Sequence, residues 1–278
     1  MAEAGDALRR AGAQPTGSRP EDGRPEGGRP DPESPLPGPS EGAPVAIPSS
    51  RSGAWQARAV VVDRHGVAAA CFQRFAWKVR RELEARSATT VAITSAVRDE
   101  GKTVTACNLA LALSAFGSGR IALVDLDLRS PSIGPALGIR RPKIGFERCL
   151  VREAPVWDAR VATDLRSLDV FPAREALPDA HEALGGPGLA AVLAELRRVY
   201  DVVVIDSPPV LPLPDAPLIL LAVDCCVGVV RAGRTHPAAL RQALELLPRE
   251  KLLGLFLNAA RSVQHSDQYR YYAKNEKA

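Results

Sequence analysis

The chain has 278 residues, of which 46% are hydrophobic, and a formal net charge of +4. This length is enough to bury the core of one large α/β domain, and the mild charge gives no support for nucleic-acid binding. Five cysteines without a Cys-x-x-Cys pair indicate buried free thiols in a reducing compartment, and they exclude a disulfide framework as the basis of the fold. No signal peptide and no membrane-spanning stretch is recognisable, so we expect a cytoplasmic protein.

Residues 1–52 form a segment rich in Pro, Gly, Glu and Arg, in which the dipeptide Arg-Pro recurs. Such a composition cannot bury enough apolar area to offset the entropy lost on ordering, so we predict a disordered tail. From residue 67 to 86 apolar residues recur at helical spacing opposite a basic face. This pattern predicts a surface helix, with oligomerisation or partner docking as the alternative use of its exposed face.

The most informative motif lies at residues 90–113, where an apolar strand, a polar loop, the sequence Gly-Lys-Thr and an Ala/Leu-rich helix follow one another. This order is typical of a phosphate-binding P-loop, in which backbone N–H groups and the helix dipole face the phosphates. Lys102 would reach the β- and γ-phosphates, and the Thr103 hydroxyl would bind Mg²⁺. Ala96 stands where the full pattern has its first Gly. The predicted nucleotide-binding residues of this loop are Asp99, Glu100, Gly101, Lys102, Thr103 and Val104.

Beyond the P-loop helix, apolar strands alternate with helical segments. Strands are predicted from residue 121, over 168–171, 201–206, 225–230 and 252–257, with helices over 188–198 and 237–247. This alternation predicts an α/β fold, the three-layer P-loop NTPase fold with a mainly parallel sheet, whose ligands bind at the carboxyl ends of the strands. The predicted organisation is the tail 1–52, one P-loop domain over 53–261 and a mobile tail over 262–278.

Polar side chains end three of these strands. Lys102 and Thr103 follow the first, Asp125 and Asp127 end the next, and Asp206 ends a third. In a parallel sheet these ends lie along one edge, where carboxylates can bind Mg²⁺ or accept a proton from an attacking hydroxyl. A single Asp at a strand end is as often a helix cap or turn residue. The combination with Gly-Lys-Thr is what predicts a catalytic site.

The segments SAVRDEGKT, ALVDLDLRSP and YDVVVIDSPPVLPLPDA resemble the Walker A, A′ and B motifs of the bacterial tyrosine kinases. These are the CpsD/CapB-type cytoplasmic kinases of capsule and exopolysaccharide synthesis, a branch of the MinD/ParA-like P-loop ATPases. The resemblance runs from about Val67 to the C-terminus and includes VVRAGRT and LLGLFLN. It implies a protein-tyrosine kinase that uses ATP and Mg²⁺ as cofactors.

The same resemblance implies roles for individual residues. Lys102 and Thr103 would bind the ATP phosphates and Mg²⁺, and Asn258 would contact the adenine. Asp127 and Asp206 would complete the Mg²⁺ shell, and Asp125 would be the base for a tyrosine hydroxyl. The residues expected to be catalytic are Lys102, Asp125 and Asp127, and those expected at the metal are Thr103, Asp127 and Asp206.

Three of the four tyrosines lie in the last ten residues: Tyr269, Tyr271 and Tyr272. Disordered tails are poor in aromatic residues, so this cluster favours a tail that serves as a kinase substrate. In the resembling family such tyrosines are phosphorylated between subunits, and their phosphorylation controls assembly with a membrane polysaccharide co-polymerase. We therefore expect self-association, a membrane partner and recruitment to the inner face of the cell membrane through that partner.

The chain departs from the family pattern at three places, one of which is a tyrosine cluster that is short for the family. Arg98-Asp99 replaces the usual Pro-Gly of the P-loop, so a negative charge lies beside the triphosphate, with Arg98 as the candidate to offset it. The family's E-x-x-R-x-x-R oligomerisation motif is absent from the predicted N-terminal helix. Two alternatives therefore remain: a catalytically degenerate ATP-binding scaffold for a co-polymerase, and a MinD/ParA-like positioning ATPase. The signature lysine of positioning ATPases is replaced here by Val97.

Overall fold

The computed structural model of the chain describes residues 67–116, 119–139 and 142–260. The predicted tails over 1–52 and 262–278, including Tyr269, Tyr271 and Tyr272, lie outside the described residues. None of the helices within the described ranges combines the length and the apolar character that crossing a bilayer requires.

The secondary structure alternates between helices and strands through the described residues. The strands are β1 (Thr90–Ser95), β2 (Ile121–Asp125), β3 (Val161–Ala162), β4 (Leu168–Phe171), β5 (Val202–Asp206), β6 (Cys225–Arg231) and β7 (Leu252–Asn258). The helices are α1 (Val67–Ala85), α2 (Lys102–Ala115), α3 (Ile133–Ala136), α4 (Phe146–Leu150), α5 (Ala180–Gly185), α6 (Pro187–Val199), α7 (Asp215–Ala222) and α8 (Pro237–Leu246). A 3₁₀ helix covers Val156–Ala159.

The described strands form one sheet in the order β3-β4-β2-β5-β1-β6-β7. Every neighbouring pair is parallel except β3 and β4, which are antiparallel. The predicted mainly parallel sheet is therefore confirmed. β1 lies inside the sheet between β5 and β6, and β2 is the next strand beyond β5, so the ends of β2, β5 and β1 are immediate neighbours.

Helices cover both faces of the sheet because the interior strands are apolar on both sides. In β1, Ala92 packs into the core beneath α4–α8, whereas Val91 and Ile93 pack into the core beneath α1–α3. All six residues of β1 are buried, which explains why its centre, residues 91–93, is continuously apolar and does not alternate. The three-layer fold predicted from the sequence is therefore confirmed.

The segment between β2 and α6 contains elements that the sequence did not reveal. The helices α3, α4 and α5 have four to six residues each, too few for an amphipathic period to emerge from the sequence. α7 lies inside the longest apolar stretch of the chain, where buried helix and buried strand are hard to separate by composition. The boundary between α7 and β6 is marked by Asp224, whose Oδ2 accepts hydrogen bonds from the backbone N–H groups of Thr89 and Thr90 at 2.9 and 2.8 Å.

We expect a Gly188→Ala substitution to destabilise the domain by about 1–3 kcal/mol, because overpacking forces neighbouring backbone apart. A Cβ added at this position in α6 would lie 1.8 Å from the carbonyl oxygen of Leu150 in α4. Urea unfolding of the full chain measures the free energy of unfolding. Gly185→Ala is the matched control, because its Cβ would only touch Leu218 Cδ1 at 3.8 Å. Equal losses at both positions would contradict the proposed backbone contact.

Candidate nucleotide-binding and catalytic site

The loop between β1 and α2 is held by backbone geometry at Gly101. Gly101 has φ 94°, in the left-handed region that favours glycine, and it immediately precedes the first residue of α2. A Cβ at this position would lie 2.1 Å from Asn258 Nδ2, so the close approach of β7 also requires glycine. Ala96 does not have a positive φ, and this explains how the loop forms without the first glycine of the full pattern.

The buried Glu100 side chain stabilises the loop through hydrogen bonds. Its Oε2 accepts a hydrogen bond from the N–H of Val97 at 3.0 Å, and its Oε1 accepts one from the Thr235 hydroxyl. Its carbonyl oxygen accepts a hydrogen bond from Asn258 Nδ2 at 2.9 Å. The side chain of Glu100 thus braces the loop, and Asn258 lies against the loop from the end of β7.

Lys102 and Thr103, at the start of α2, face the carboxylates of the neighbouring strands. Lys102 Nζ lies 3.6 Å from Asp127 Oδ2, and both side chains are nearly buried. The Thr103 hydroxyl donates to Asp206 Oδ2 at 2.5 Å and lies 2.8 Å from Ser132 Oγ. The three strand ends singled out from the sequence therefore meet in one place.

Asp125 and Asp206 are register partners at the ends of β2 and β5, and both are fully buried. Asp125 Oδ2 accepts hydrogen bonds from the N–H groups of Ser132 and Ile133, each at 3.0 Å. The other carboxylate oxygen of each aspartate, Oδ1, has no hydrogen-bond partner. Buried oxygens without partners are rare, and a paired set of them at a phosphate loop indicates that a cation or proton belongs there.

Burial controls the protonation of these carboxylates. Desolvation raises the pKa of Asp206 to about 7, against the opposing effects of Lys102 and of the Thr103 hydrogen bond. Desolvation and the neighbouring Asp206 raise the pKa of Asp125 well above its ordinary value. Desolvation also raises the pKa of Asp127, while the charges of Lys102 and Arg98 lower it. The site therefore holds negative charge that is compensated only in part.

The donor set fits a magnesium ion bound together with a phosphate. Mg²⁺ prefers oxygen ligands and usually takes one or two from the protein, with water and substrate phosphate completing its shell. Thr103 Oγ1 and the unpartnered Asp206 Oδ1 are such oxygens. Within the described residues no group of three or more His, Cys, Asp or Glu side chains is suited to hold a metal ion alone, which agrees with a site that needs phosphate oxygens as well.

A bidentate ion pair that the sequence did not reveal lies beside this site. Arg129 Nε and Nη2 contact the two carboxylate oxygens of Asp215 at 2.5 and 3.2 Å, and Asp215 is 1% exposed. His181 Nδ1 lies 3.3 Å from the same carboxylate. The pair joins the loop after β2, which carries Asp127, to the start of α7. A buried Asp opening an apolar helix was the sequence signal that could have indicated it.

The nucleotide loop also contacts the segment after β6. Asp99 has φ 62°, its carbonyl oxygen accepts from Arg231 Nη1 at 2.9 Å, and its carboxylate lies 3.2 Å from Arg234 Nη2. The charge that contacts Asp99 is thus Arg234, which the sequence did not single out. Val104, the last of the predicted loop residues, lies partly buried in the first turn of α2.

A phosphate loop opening α2 and three carboxylates at adjacent parallel strand ends define the class of P-loop NTPases. Residues 88–232, more than half of the chain, match the family described as AAA domain. The tyrosine-protein kinase YwqD of Bacillus subtilis is 31% identical over 193 residues, which are 69% of this chain and 80% of YwqD. The kinase domain of VpsO is 28% identical, with a TM-score of 0.61 over 66% of this chain and 91% of that domain.

The succinoglycan biosynthesis transport protein ExoP of Rhizobium meliloti is 35% identical over 174 residues, 60% of this chain but only 22% of ExoP. The likeness to ExoP is thus confined to about a fifth of that protein. The chain belongs to the bacterial tyrosine kinases, a branch of the MinD/ParA-like P-loop ATPases, and is a protein-tyrosine kinase.

We expect an Asp206→Asn substitution to stabilise the nucleotide-free protein at pH 8 and to leave its stability nearly unchanged at pH 4. The pKa of Asp206 is about 7 in the folded chain and about 3.9 in the unfolded chain. The protonated carboxyl therefore contributes fully to folding stability below about pH 4, and this contribution is lost as the pH rises towards 7. Removing the buried charge should raise the melting temperature at pH 8 by about 2–5 °C.

Thermal unfolding followed by circular dichroism at both pH values measures this difference. Asp201→Asn is the comparison variant, because Asp201 is a partly exposed aspartate at the opposite end of β5. A lower melting temperature for Asp206→Asn at pH 8 would show that the carboxylate is not a buried, uncompensated charge.

Proposed function

We propose that the chain is an ATP- and Mg²⁺-dependent autokinase that phosphorylates Tyr269, Tyr271 and Tyr272 of a neighbouring copy. The observation that carries the proposal is the meeting of Lys102 and Thr103 with Asp127 and Asp206. These contacts bring a phosphate-binding lysine and a metal-binding hydroxyl against buried carboxylates, the arrangement that phosphoryl transfer to a hydroxyl requires.

The proposed division of labour follows from these contacts. Lys102 binds the β- and γ-phosphates, while the loop N–H groups from Asp99 to Val104 surround them. Thr103, Asp127 and Asp206 would hold Mg²⁺ directly or through water, and the ion would supply positive charge beside the phosphates. Asn258, at the end of β7, borders the site on the side proposed for the adenine.

Asp125 is the proposed base. The tyrosine oxygen attacks the γ-phosphorus as the bond to the leaving ADP oxygen breaks, and the phenolic proton passes to Asp125 Oδ1. That oxygen has no partner in the structure and, once the carboxyl is ionised, is available to accept the proton. In this structure Asp125 is fully buried, so the proposed step requires the neighbouring loop to admit the tyrosine ring.

The proposed biological role is control of exopolysaccharide or capsule synthesis and export. It is supported by the likeness to ExoP, named as a succinoglycan biosynthesis transport protein. In this role the chain acts at the cytoplasmic face of the cell membrane and is recruited and activated by a membrane polysaccharide co-polymerase. Phosphorylation adds nearly two negative charges to each tyrosine, enough to change the affinity of the tail for a charged partner or another copy.

A mixing experiment tests transfer between copies. Lys102→Met retains the tail tyrosines but should lose phosphate binding, and the triple Tyr269/Tyr271/Tyr272→Phe variant retains the site but lacks acceptors. With Mg-ATP neither variant alone should gain phosphotyrosine in the tail, whereas the mixture should label the Lys102→Met chain. Size-tagged chains, anti-phosphotyrosine blotting and mass spectrometry identify the labelled copy.

Lys143→Met, which removes an exposed lysine, is the matched control and should label like the unmodified chain. Each protein is assayed with and without the cytoplasmic segment of a candidate co-polymerase. If the unmodified chain is labelled but the mixture of the two variants is not, phosphate is transferred within one chain. ATP binding without phosphotyrosine under every condition would favour the non-catalytic scaffold.

A second substitution tests the proposed base. Asp125→Asn should bind Mg-ATP within about threefold of the unmodified affinity and lower the rate of tail phosphorylation by about 10²–10⁴-fold, the range expected for losing a general base. Isothermal titration and single-turnover labelling measure the two quantities. A rate within tenfold of the unmodified rate would exclude Asp125 as the base.

A further inference from the structure

One residue of the nucleotide loop has an unfavourable backbone conformation and an unfavourable charge for its position. Asp99 has φ 62°, a region that non-glycine residues seldom adopt, although Asp and Asn tolerate it better than most. Its carboxylate also adds a negative charge three residues before Lys102, in a loop whose proposed ligand is a triphosphate. Strained residues persist at functional sites where surrounding contacts hold them in place.

Those contacts come from the end of β6 and the turn that follows it. Arg231 Nη1 donates to the Asp99 carbonyl oxygen at 2.9 Å, and Arg234 Nη2 lies 3.2 Å from the Asp99 carboxylate. Between them Gly233 has φ 70° and makes the turn, which is closed by a hydrogen bond from Arg234 N–H to the Arg231 carbonyl. The turn therefore presents two guanidinium groups to one aspartate.

The same turn is also linked to the nucleotide loop by hydrogen bonds of Thr235. The Thr235 hydroxyl accepts a hydrogen bond from Arg231 N–H at 2.8 Å and donates to the buried Glu100 carboxylate. A partly buried contact thus fixes the turn relative to the nucleotide loop, while the charged ends of the arginines stay near the solvent.

Stability does not explain this ion pair. The Arg234 and Asp99 side chains are 52% and 74% exposed, and exposed pairs contribute little to folding because water and salt screen them. When a triphosphate is bound nearby, the ion pair matters more, because a carboxylate without a neutralising partner would repel several phosphate charges at once. Arg98 adds a further positive charge at the same site, where it lowers the pKa of Asp127.

We infer that Arg234 is a charge-compensating residue of the nucleotide site, needed because Asp99 occupies the loop, and that Arg231 positions the loop by holding the Asp99 carbonyl. The inference rests on the proposed ATP site and extends it to the segment after β6. The substrate class it concerns is a nucleoside triphosphate with Mg²⁺, and the guanidinium group of Arg234 offsets the negative charge that Asp99 adds to the loop.

A double-mutant cycle on the full chain tests the coupling, with the dissociation constant for Mg-ATP as the measured quantity. Arg234→Gln should weaken binding about tenfold in the natural background, the order expected for one charge acting at several ångströms. In an Asp99→Asn background the same change should alter binding by less than about twofold. Asn is the matched replacement because it keeps the shape and tolerates a positive φ.

Further measurements separate charge from shape. Arg234→Lys keeps the positive charge and should restore binding to within about threefold of the unmodified protein. The coupling between Asp99 and Arg234 should shrink at 0.5 M salt, because both side chains are exposed. Arg148→Gln, which breaks the surface pair of Arg148 with Glu153 at 2.6 Å on α4, is the control and should leave ATP binding unchanged.

The outcomes distinguish this inference from the proposed function. If Arg234→Gln weakens binding equally in both backgrounds, or not at all, the compensating role is overturned while the ATP site stands. Failure of Arg234→Lys to restore binding, or a coupling unchanged by salt, would likewise overturn a role based on charge. If the unmodified chain does not bind Mg-ATP, both this inference and the proposed function fall.

Discussion

The site depends on one electrostatic constraint: two carboxylates, Asp125 and Asp206, are buried side by side at the ends of β2 and β5. Neither could remain ionised there without compensation, because desolvation and mutual repulsion both oppose the charge. The surrounding groups supply part of that compensation through Lys102, the Thr103 hydroxyl and the backbone N–H groups at the start of α3. The remaining deficit creates affinity for a cation, so the fold carries a local cost in the nucleotide-free state that ligand binding relieves.

The parallel sheet allows this constraint to be met with little adjustment. β2, β5 and β1 are consecutive in the sheet although they are far apart in sequence, so each contributes a polar residue just beyond its buried apolar run. The loops are then held across the strands: Leu126 N–H donates to the Asp206 carbonyl at 2.9 Å, and Val210 N–H donates to the Ser95 carbonyl at 2.9 Å. The Arg129–Asp215 pair joins the loop after β2 to the start of α7 through their side chains.

Sequence reasoning predicted the features that depend on neighbouring residues along the chain. The buried strands, the P-loop and the convergence of Asp125, Asp127 and Asp206 follow from apolar runs with polar ends. The Arg129–Asp215 pair was not predicted in this way, because its partners are 86 positions apart and no local pattern says that one faces the other. Asp99 could be recognised as a departure from the family, but its partner Arg234 is 135 positions away and becomes visible only when β6 lies beside β1.

The contact between Asn258 and the nucleotide loop joins the end of β7 to the phosphate-binding loop. Asn258 is the last residue of β7, and its amide holds the Glu100 carbonyl while it also packs where Gly101 lacks a side chain. Any substitution at Asn258 would therefore remove a hydrogen bond to the nucleotide loop and, in the same step, change what lies against Gly101. The last strand of the sheet thus shapes the phosphate-binding loop although it lies 158 positions away in the sequence.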